Sequence, residues 1–574
     1  MLTLAFTEEN SEDVSLNKTE RMKYYETATF NESLMNSIRE NWDALAMTNY
    51  ANGEDFTYAR LAENIVKMHL LYKSLGIKEN DKIALVGKNT PEWAIVFLST
   101  VTYGAIIVPI LQNFPPDDIH HIVNHSGAKL LFVSDNLKEL IVEDNIPKVK
   151  CIYCYTEKYC IHKNVKSQIP QKINELEVLY RQAFPNGITA DDLRFAEKKD
   201  DDYFSINYTS GTTGFSKGVI QTCGNIKGNI SYVQECKAAY KGIKILNFLP
   251  LAHTYGCSLD FLSQITVGAH ITFLNKVPAP KVLLKAFEEV RPNIIYTVPL
   301  IVEKFYRSIA EPVLKMHSDL SDAILESEIY PQLREKMIQA FGGEFREVVV
   351  GGAPLNHEIE MDLVKLKFPL AVGYGMTECS PLISFAHYDE YVPGSVGKVL
   401  PNMEVRIDSE DQENVAGEIV VRGQNMMPSY FKNDSATKAT FTDDGWLRTG
   451  DIGVLKDGYL FIKGRCKSMI LGPSGQNIYP EQLEAKLSNL PWVSETLIVE
   501  NDVRLVALVY PDFRAMDEIN IQKEDLANIM EENRRKFNKS VANYEQISEI
   551  KLFPKEFEKT PKKNIKRYLY ESHK

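Results

Sequence analysis

The chain has 574 residues, 44% of them hydrophobic and 25% charged, with a net charge of −12. This is the composition of a large globular protein with about three or four domain-sized units, and its acidic balance excludes a general nucleic-acid or acidic-membrane binder, so a phosphate-bearing ligand must be met by local cations. No stretch approaches the roughly 18 consecutive apolar residues of a membrane span, and MLTLAFTEENSEDVSLNKTE lacks a basic flank with an apolar core, so a soluble cytoplasmic chain is expected.

Residues 56–75 carry Leu61, Ile65, Met68, Tyr72 and Leu75 at helical steps, and DKIALVGKN follows as a strand leading into a glycine turn. The alternation then repeats. PEWAIVFLSTVTYG precedes AIIVPIL, a helix around His120 precedes AKLLFVSD, and KVLLKAFEEV precedes PNIIYTVP, which together read as α/β architecture over the first 400 residues. His120, His121 and His125 share that helix without a carboxylate or cysteine partner at metal-ligand spacing. CIYCYTEKYCIH crowds Cys151, Cys154, Cys160 and His162, a zinc candidate weighed against an apolar strand, with no second C-x-x-C following. The eight cysteines otherwise lack framework spacing and read as reduced thiols. Past residue 400, MEVRIDS, GEIVVRG and GYLFIKG read as a β-rich subdomain, and after IKGRCKSM the strands TLIVE and VRLVALVYPD with the helix EDLANIMEENRRKF read as a small α+β domain.

The polar motifs carry the chemistry. YTSGTTGFSKGVI packs glycines, hydroxyls and one lysine into a loop whose backbone N–H groups can converge on an anion, yet Ser216 stands where a Walker loop needs glycine. Taken alone, the loop could equally be a polar turn between a strand and a helix. In chain order it is followed by LPLAHTYG, VVVGGAPL, GYGMTECSP, WLRTGDIG and GRCKSMILGPSGQNIYPEQLE. Together these resemble the adenylate-forming superfamily of acyl-CoA synthetases, adenylation domains and luciferases, over nearly the whole chain, and look most like bacterial-type long-chain fatty acid–CoA ligases.

The resemblance implies a large α/β domain over residues 1–464, with the β-rich subdomain from about 395, a hinge at 465–468 and a small mobile domain over 469–574. It implies ATP, Mg²⁺ and CoA acting on a fatty acid: the carboxylate attacks the α-phosphate, pyrophosphate leaves, and a thiol then displaces AMP from the acyl-adenylate. Thr209, Ser210, Gly211, Thr212, Thr213, Gly214 and Lys217 would embrace the β- and γ-phosphates. Gly373, Tyr374, Gly375 and Met376 would cover the nucleotide's other side, with Thr377 donating to the α-phosphate and Glu378 holding Mg²⁺. Gly351, Gly352 and Ala353 with Tyr374 would form the adenine slot, and Asp451 with Arg465 would hold the ribose. His253, Tyr255 and Gly352 would flank the acid, Trp446 would be a packing or pocket-wall aromatic, Lys467 would be the pivot, and Gly475 would line the pantetheine entry.

One departure stands out. Family members end in a K-T-x-x-G-K-x-x-R motif; aligned on Lys559, Thr560 and Arg567, the second lysine's slot holds Asn564. A neutral amide cannot supply that charge, so Lys563, or Lys562, is expected to substitute, or adenylation is impaired. Two alternatives to CoA ligation are kept, a ligase that loads an acyl carrier protein and a nucleotide-binding protein without turnover. Peripheral membrane contact through the acid is compatible with either catalytic reading; nucleic acid is not a partner.

Overall fold

The computed structural model describes residues 22–161, 173–209, 216–472, 476–501, 504–513, 516, 525–560 and 565–570. Its first layer is a seven-stranded sheet in the order Tyr159–Cys160, Cys151–Cys154, Leu130–Val133, Lys82–Val86, Ile106–Ile110, Tyr203–Thr209, Lys217–Thr222. The inner pairings are parallel and both edges are antiparallel. Strands of a parallel sheet are covered on both faces, and Leu130–Val133 and Ile106–Ile110 are accordingly buried throughout. The expected helix spans Tyr58–Ser74 and buries Leu61, Ile65, Met68 and Tyr72. The helix Pro91–Thr102 is apolar on every side and buried along almost its full length; Thr90 caps it by accepting from the Trp93 amide, and Pro91 opens its first turn, where no N–H is needed.

The second layer is a nine-stranded sheet running Ile295–Thr297, Val348–Val350, Leu370–Gly375, Leu382–Phe385, Lys398–Val399, Tyr459–Arg465, Leu447–Lys456, Gly417–Gly423, Met403–Asp408. Its parallel half ends at Leu370–Gly375, and the strands past residue 395 continue the same sheet through the single register pair Lys398↔Tyr459. Four further strands, Lys244–Asn247, His270–Phe273, Leu45–Asn49 and Glu54–Thr57, form a third sheet. At the C-terminal end, Val493–Asn501, Arg504–Pro511 and Ile547–Leu552 pair into a sheet flanked by the helices Pro480–Leu487 and Leu526–Ser540, around hydrophobic clusters of their own. This α+β unit touches the rest of the chain where a Cβ on Gly464 would lie 2.9 Å from the Tyr479 ring, and where Asn356 Nδ2 donates to Asn489 Oδ1 at 2.6 Å.

One expectation is corrected. The glycine-rich loop joins two strands, not a strand and a helix: Lys217 opens a strand antiparallel to Tyr203–Thr209, and the helix begins only at Cys223, capped by Thr222. The reason lies in KGVIQT, whose Val219 and Ile220 suit a pleated, buried edge, with Thr222 as the first N-cap.

A buried polar chain links the layers. Asp260, 1% exposed on the π-helical turn Gly256–Leu262, accepts a hydrogen bond from Asn247 Nδ2; Asn247 Oδ1 accepts from Asn89 Nδ2 at 2.8 Å. Asn89 also donates to the Leu249 carbonyl and accepts from the Leu251 amide, so it clamps the LPLAH segment from both sides. Burial holds the Asp260 carboxyl well above the usual carboxylate range, against the opposing hydrogen bond from Asn247. The fold therefore keeps a proton there that the unfolded chain releases above about pH 4. From that pH up to the folded-state value, each rise in pH favours the unfolded chain, so stability present at low pH is progressively lost. Asp260→Asn, neutral in both states, is expected to gain stability relative to the parent as pH rises above about 4, measured as urea midpoints; a stability difference independent of pH would contradict the buried proton.

Candidate active site

Thr209 ends one strand and Lys217 begins the next, and the two are register partners, so the ends of the glycine-rich loop meet across the hairpin. Ser210, Gly211, Thr212, Thr213 and Gly214 lie outside the described residues. Lys217 Nζ sits 5.0 Å from the centre of the Tyr430 ring, and the Tyr430 hydroxyl donates to Glu378 Oε1 at 2.8 Å. One aromatic side chain thus links the loop's cation to the acid of GYGMTE. Burial, then the neighbouring Glu378 charge, pushes the Tyr430 phenol up, so it remains a donor.

The backbone explains the meeting. Phe431 N donates to Gly218 O at 2.7 Å and Ile220 N to Ser429 O at 3.3 Å, laying the 429–431 segment along the strand Lys217–Thr222. A Cβ on Gly218 would be tightly placed, 3.0 Å from Ile206, 3.1 Å from Tyr208 and 3.3 Å from Phe431. From the same strand, Gln221 Nε2 donates to the Thr377 carbonyl at 3.3 Å, while Met427 N donates to the Glu378 carbonyl at 2.7 Å. Thr377 and Glu378 are therefore placed through their carbonyls, and the Glu378 carboxylate is used by Tyr430 through Oε1 alone.

A second group assembles at the end of the strand Leu370–Gly375. The Tyr374 hydroxyl donates to Asp451 Oδ2 at 2.7 Å, and Arg465 Nε lies 3.2 Å from Asp451 Oδ1. Asp451 and Arg465 are register partners on adjacent strands, which is why residues far apart in the sequence pair so closely. The Asp451 side chain is 14% exposed and that of Arg465 64%. Burial raises the Asp451 carboxyl above its usual range, and Arg465 and Tyr374 partly offset this. Each carboxylate oxygen can accept more than one bond, so a vicinal diol can still be held. Gly373 and Met376 flank Tyr374, and Gly375 is obligatory, because a Cβ would lie 2.1 Å from the Pro381 carbonyl oxygen.

Gly351, Gly352 and Ala353 leave the strand Val348–Val350; Gly351 N donates to Thr297 O at 3.1 Å, and Gly352 takes φ +83° with nothing nearer its missing Cβ than Val298 at 3.9 Å. Tyr255 lies beneath them. Its hydroxyl donates to the carbonyls of Val349 at 2.9 Å and Thr297 at 3.2 Å, and its ring stands 3.3 Å from where a Gly351 Cβ would be. Tyr255 is therefore the floor of this corner, with its polar atom spent on backbone. His253 Nδ1 accepts from the Tyr255 amide at 3.3 Å, which leaves the ring proton on Nε2. Trp446 lies beside Arg406 and Arg422, whose guanidiniums stand 4.8 and 4.7 Å from its ring centre.

Lys467 is exposed in the turn leaving the strand Tyr459–Arg465, where Ser468 N and Met469 N both donate to the Arg465 carbonyl. Gly475, Lys562, Lys563 and Asn564 lie outside the described residues, while the flanks of the last motif are anchored: Lys559 pairs with Glu495, and Arg567 donates to both oxygens of Glu484 at 2.7 and 2.8 Å. Glu378 offers one carboxylate, the donor type that Mg²⁺ takes beside phosphate oxygens, and its Oε1 already accepts from Tyr430. Among the described residues no group of three His, Cys, Asp or Glu could hold a metal by itself. His162 lies outside the described residues; Cys151 and Cys154 do form the expected strand. His120 Nε2 accepts from the Val142 amide at 3.0 Å, and His125 Nδ1 lies 2.7 Å from the Tyr208 hydroxyl. Tyr430, Asn89, Asn247 and Asp260 were not legible as site-forming residues: none lies in a glycine-rich or charged motif, and each acts through a partner distant in sequence.

The chain is similar to known proteins. Over 571 residues the chain is 27% identical to a long-chain-fatty-acid–CoA ligase of Mycobacterium bovis, covering 89% of this chain and 90% of the relative. It is 30% identical over 560 residues to a 4-coumarate–CoA ligase of Humulus lupulus, covering 93% and 91%. The crystal structure of ATP-bound MatB from Rhodopseudomonas palustris superposes with a TM-score of 0.73 at 20% identity, over 95% of this chain and 99% of that one, a likeness of fold. Residues 35–431 match the AMP-binding enzyme family, and with most of its length inside that match the chain belongs to this family of adenylate-forming enzymes.

Proposed function

We propose that this enzyme, an AMP-forming acid–CoA ligase, activates a fatty acid with ATP and transfers the acyl group from AMP to the thiol of CoA. The observation that carries the reading is the line Lys217–Tyr430–Glu378 beside the pair Asp451–Arg465: a cation and an acid on one side, and a diol-binding carboxylate on the other, at a spacing set by two adjoining sheet ends.

Both half-reactions bring anions together or part them, so positioning and fixed charge supply the catalysis. In the first, the substrate carboxylate attacks the α-phosphorus and pyrophosphate leaves. Lys217, with the loop from Thr209, neutralises the departing phosphates; Thr377 donates to the α-phosphate; Glu378, held by Tyr430, would hold the metal. A bound Mg²⁺ would supply charge neutralisation across the phosphates. Asp451 and Arg465 fix the ribose, Tyr374 and Gly351–Ala353 border the base, and His253 stands by the acid. In the second half-reaction the thiol sulfur attacks the acyl carbonyl carbon and AMP leaves. Residues 1–464 act as the large domain and 469–574 as the small one, turning about Lys467 in the segment 465–468. Lys563 is the proposed source of the charge that Asn564 lacks. Fatty acid is preferred over an aromatic acid because the motif LPLAHTYG and the mycobacterial relative point the same way. The assay that tests this follows pyrophosphate and AMP release with straight-chain fatty acids or 4-coumarate, with and without CoA. AMP release that needs both a fatty acid and CoA is expected, and preference for 4-coumarate or indifference to CoA would overturn the proposal.

Two variants test the assigned parts. Glu378→Gln keeps the shape and the hydrogen bond from Tyr430 but removes a charged metal ligand, so adenylation at limiting Mg²⁺ should fall at least about tenfold, with the circular dichroism spectrum unchanged; an unaltered rate would remove Glu378 from the metal site. Lys467→Pro fixes φ at the turn and should slow overall thioester formation far more than the first-turnover burst of pyrophosphate. Equal loss in both half-reactions would count against a pivot at this position.

A further inference from the structure

The CIYCYTEKYC stretch forms the outermost hairpin of the seven-stranded sheet, in which Tyr159–Cys160 is a two-residue edge strand antiparallel to Cys151–Cys154. Tyr153 and Cys160 are register partners. Side chains two apart on a strand share a face, so Cys151 and Cys160 are diagonal neighbours on one side of the hairpin. Their sulfurs stand 3.5 Å apart. Cys154, on the opposite face, turns its sulfur to Thr156 Oγ1 at 3.5 Å and Glu157 Oε2 at 3.8 Å. The pair is also graded in access, with Cys151 2% exposed and Cys160 half-buried. We propose that Cys151 and Cys160 are a reversible redox pair that closes an intramolecular disulfide across this hairpin when the chain meets a peroxide.

The reaction balances without any group beyond the two thiols and the oxidant. The Cys160 thiol reacts with hydrogen peroxide to give a sulfenic acid and water, the sulfur losing two electrons and the peroxide O–O bond breaking. The Cys151 sulfur then attacks the sulfenic sulfur; the S–S bond forms, the S–O bond breaks, and the hydroxyl leaves with the thiol proton as a second water. The order of events follows the environment. Hydrogen bonding to Cys160, and then burial, push the Cys151 thiol up, so the more accessible Cys160 is oxidised first and Cys151 resolves it. Closing from 3.5 Å to the roughly 2.05 Å of a disulfide needs a shift of an edge strand held by only two register pairs. A small-molecule thiol reverses the bond by exchange. The hairpin also adjoins the clamp on the LPLAH segment: Tyr155, at its turn, donates to the Lys88 carbonyl at 3.0 Å, next to Asn89.

The test is a mass map of the full chain, reduced, treated with hydrogen peroxide, alkylated with N-ethylmaleimide and digested with trypsin without reduction. Cleavage after Lys150, Lys158 and Lys163 places Cys151 and Cys154 on one peptide and Cys160 on the next. The expected result is those two peptides joined with the loss of two hydrogens, separated again by dithiothreitol, still joined in Cys154→Ser and unjoined in Cys151→Ser. Recovery of both peptides in alkylated form, a link that survives Cys151→Ser, or Cys160 recovered as the sulfonic acid overturns the proposal. Zinc held by the untreated chain and lost in Cys151→Ser overturns it as well, in favour of a metal site. The parent chain alone decides the first of these outcomes, so the test does not depend on the variants folding.

Discussion

The site depends on one strand. Lys217–Thr222 closes the seven-stranded sheet by pairing with Tyr203–Thr209, and its outer side receives the 429–431 segment and the Thr377 carbonyl. A sheet edge exposes unpaired N–H and C=O groups that must find partners when buried. Here they find them in a segment from the second sheet. That obligation joins the two layers, and it carries Lys217, Thr377, Glu378 and Tyr430 to the same place without requiring any of their side chains to hold the backbone. Gly218 lies at this contact, where a Cβ would stand 3.3 Å from Phe431.

Electrostatically, the site consists of charges that are partnered before any ligand arrives. Glu378 accepts from Tyr430, Asp451 from Tyr374 with Arg465 beside it, and Lys217 lies over an aromatic ring. Such groups need little reorganisation as charge moves between phosphates, which is the form of stabilisation that acyl adenylation requires. It also explains how a chain with a net charge of −12 can attract a polyanion: the field that matters is set by a few cations at the ends of strands, and the overall charge is secondary.

Behind the site, the buried Asp260 and Asn247 and the half-buried Asn89 form a chain of polar groups that ends on both sides of the segment leading to His253. Buried polar groups in such a chain are costly unless each meets a partner. The bonds from Asn89 to Asn247, Leu249 and Leu251 fix the loop in direction as well as distance, while Asp260 is bonded through Oδ2 alone. Tyr255 has the same character: a large aromatic with its hydroxyl bonded to two strand carbonyls, it sets the depth of the corner beneath Gly351.

The alternation of helices and strands is legible without the fold, because periodicity at 3.6 and 2 residues is local: Leu61, Ile65, Met68 and Tyr72 mark their helix in any fold. The motif set is legible in the same way, since glycines and hydroxyls at fixed spacing describe a backbone shape that needs no distant partner. What lies on the far side of the glycine-rich loop was decided by tertiary structure: the strand beginning at Lys217 is stabilised by pairing with Tyr203–Thr209 and by the 429–431 segment. The same holds for Tyr430 beside Glu378, 52 residues away in sequence, and for Asp260 beneath Asn247 and Asn89. Each of these is a contact between residues whose neighbours in sequence say nothing of each other, and only the closing of the sheets, driven by burial of their apolar faces, brings them within hydrogen-bonding reach.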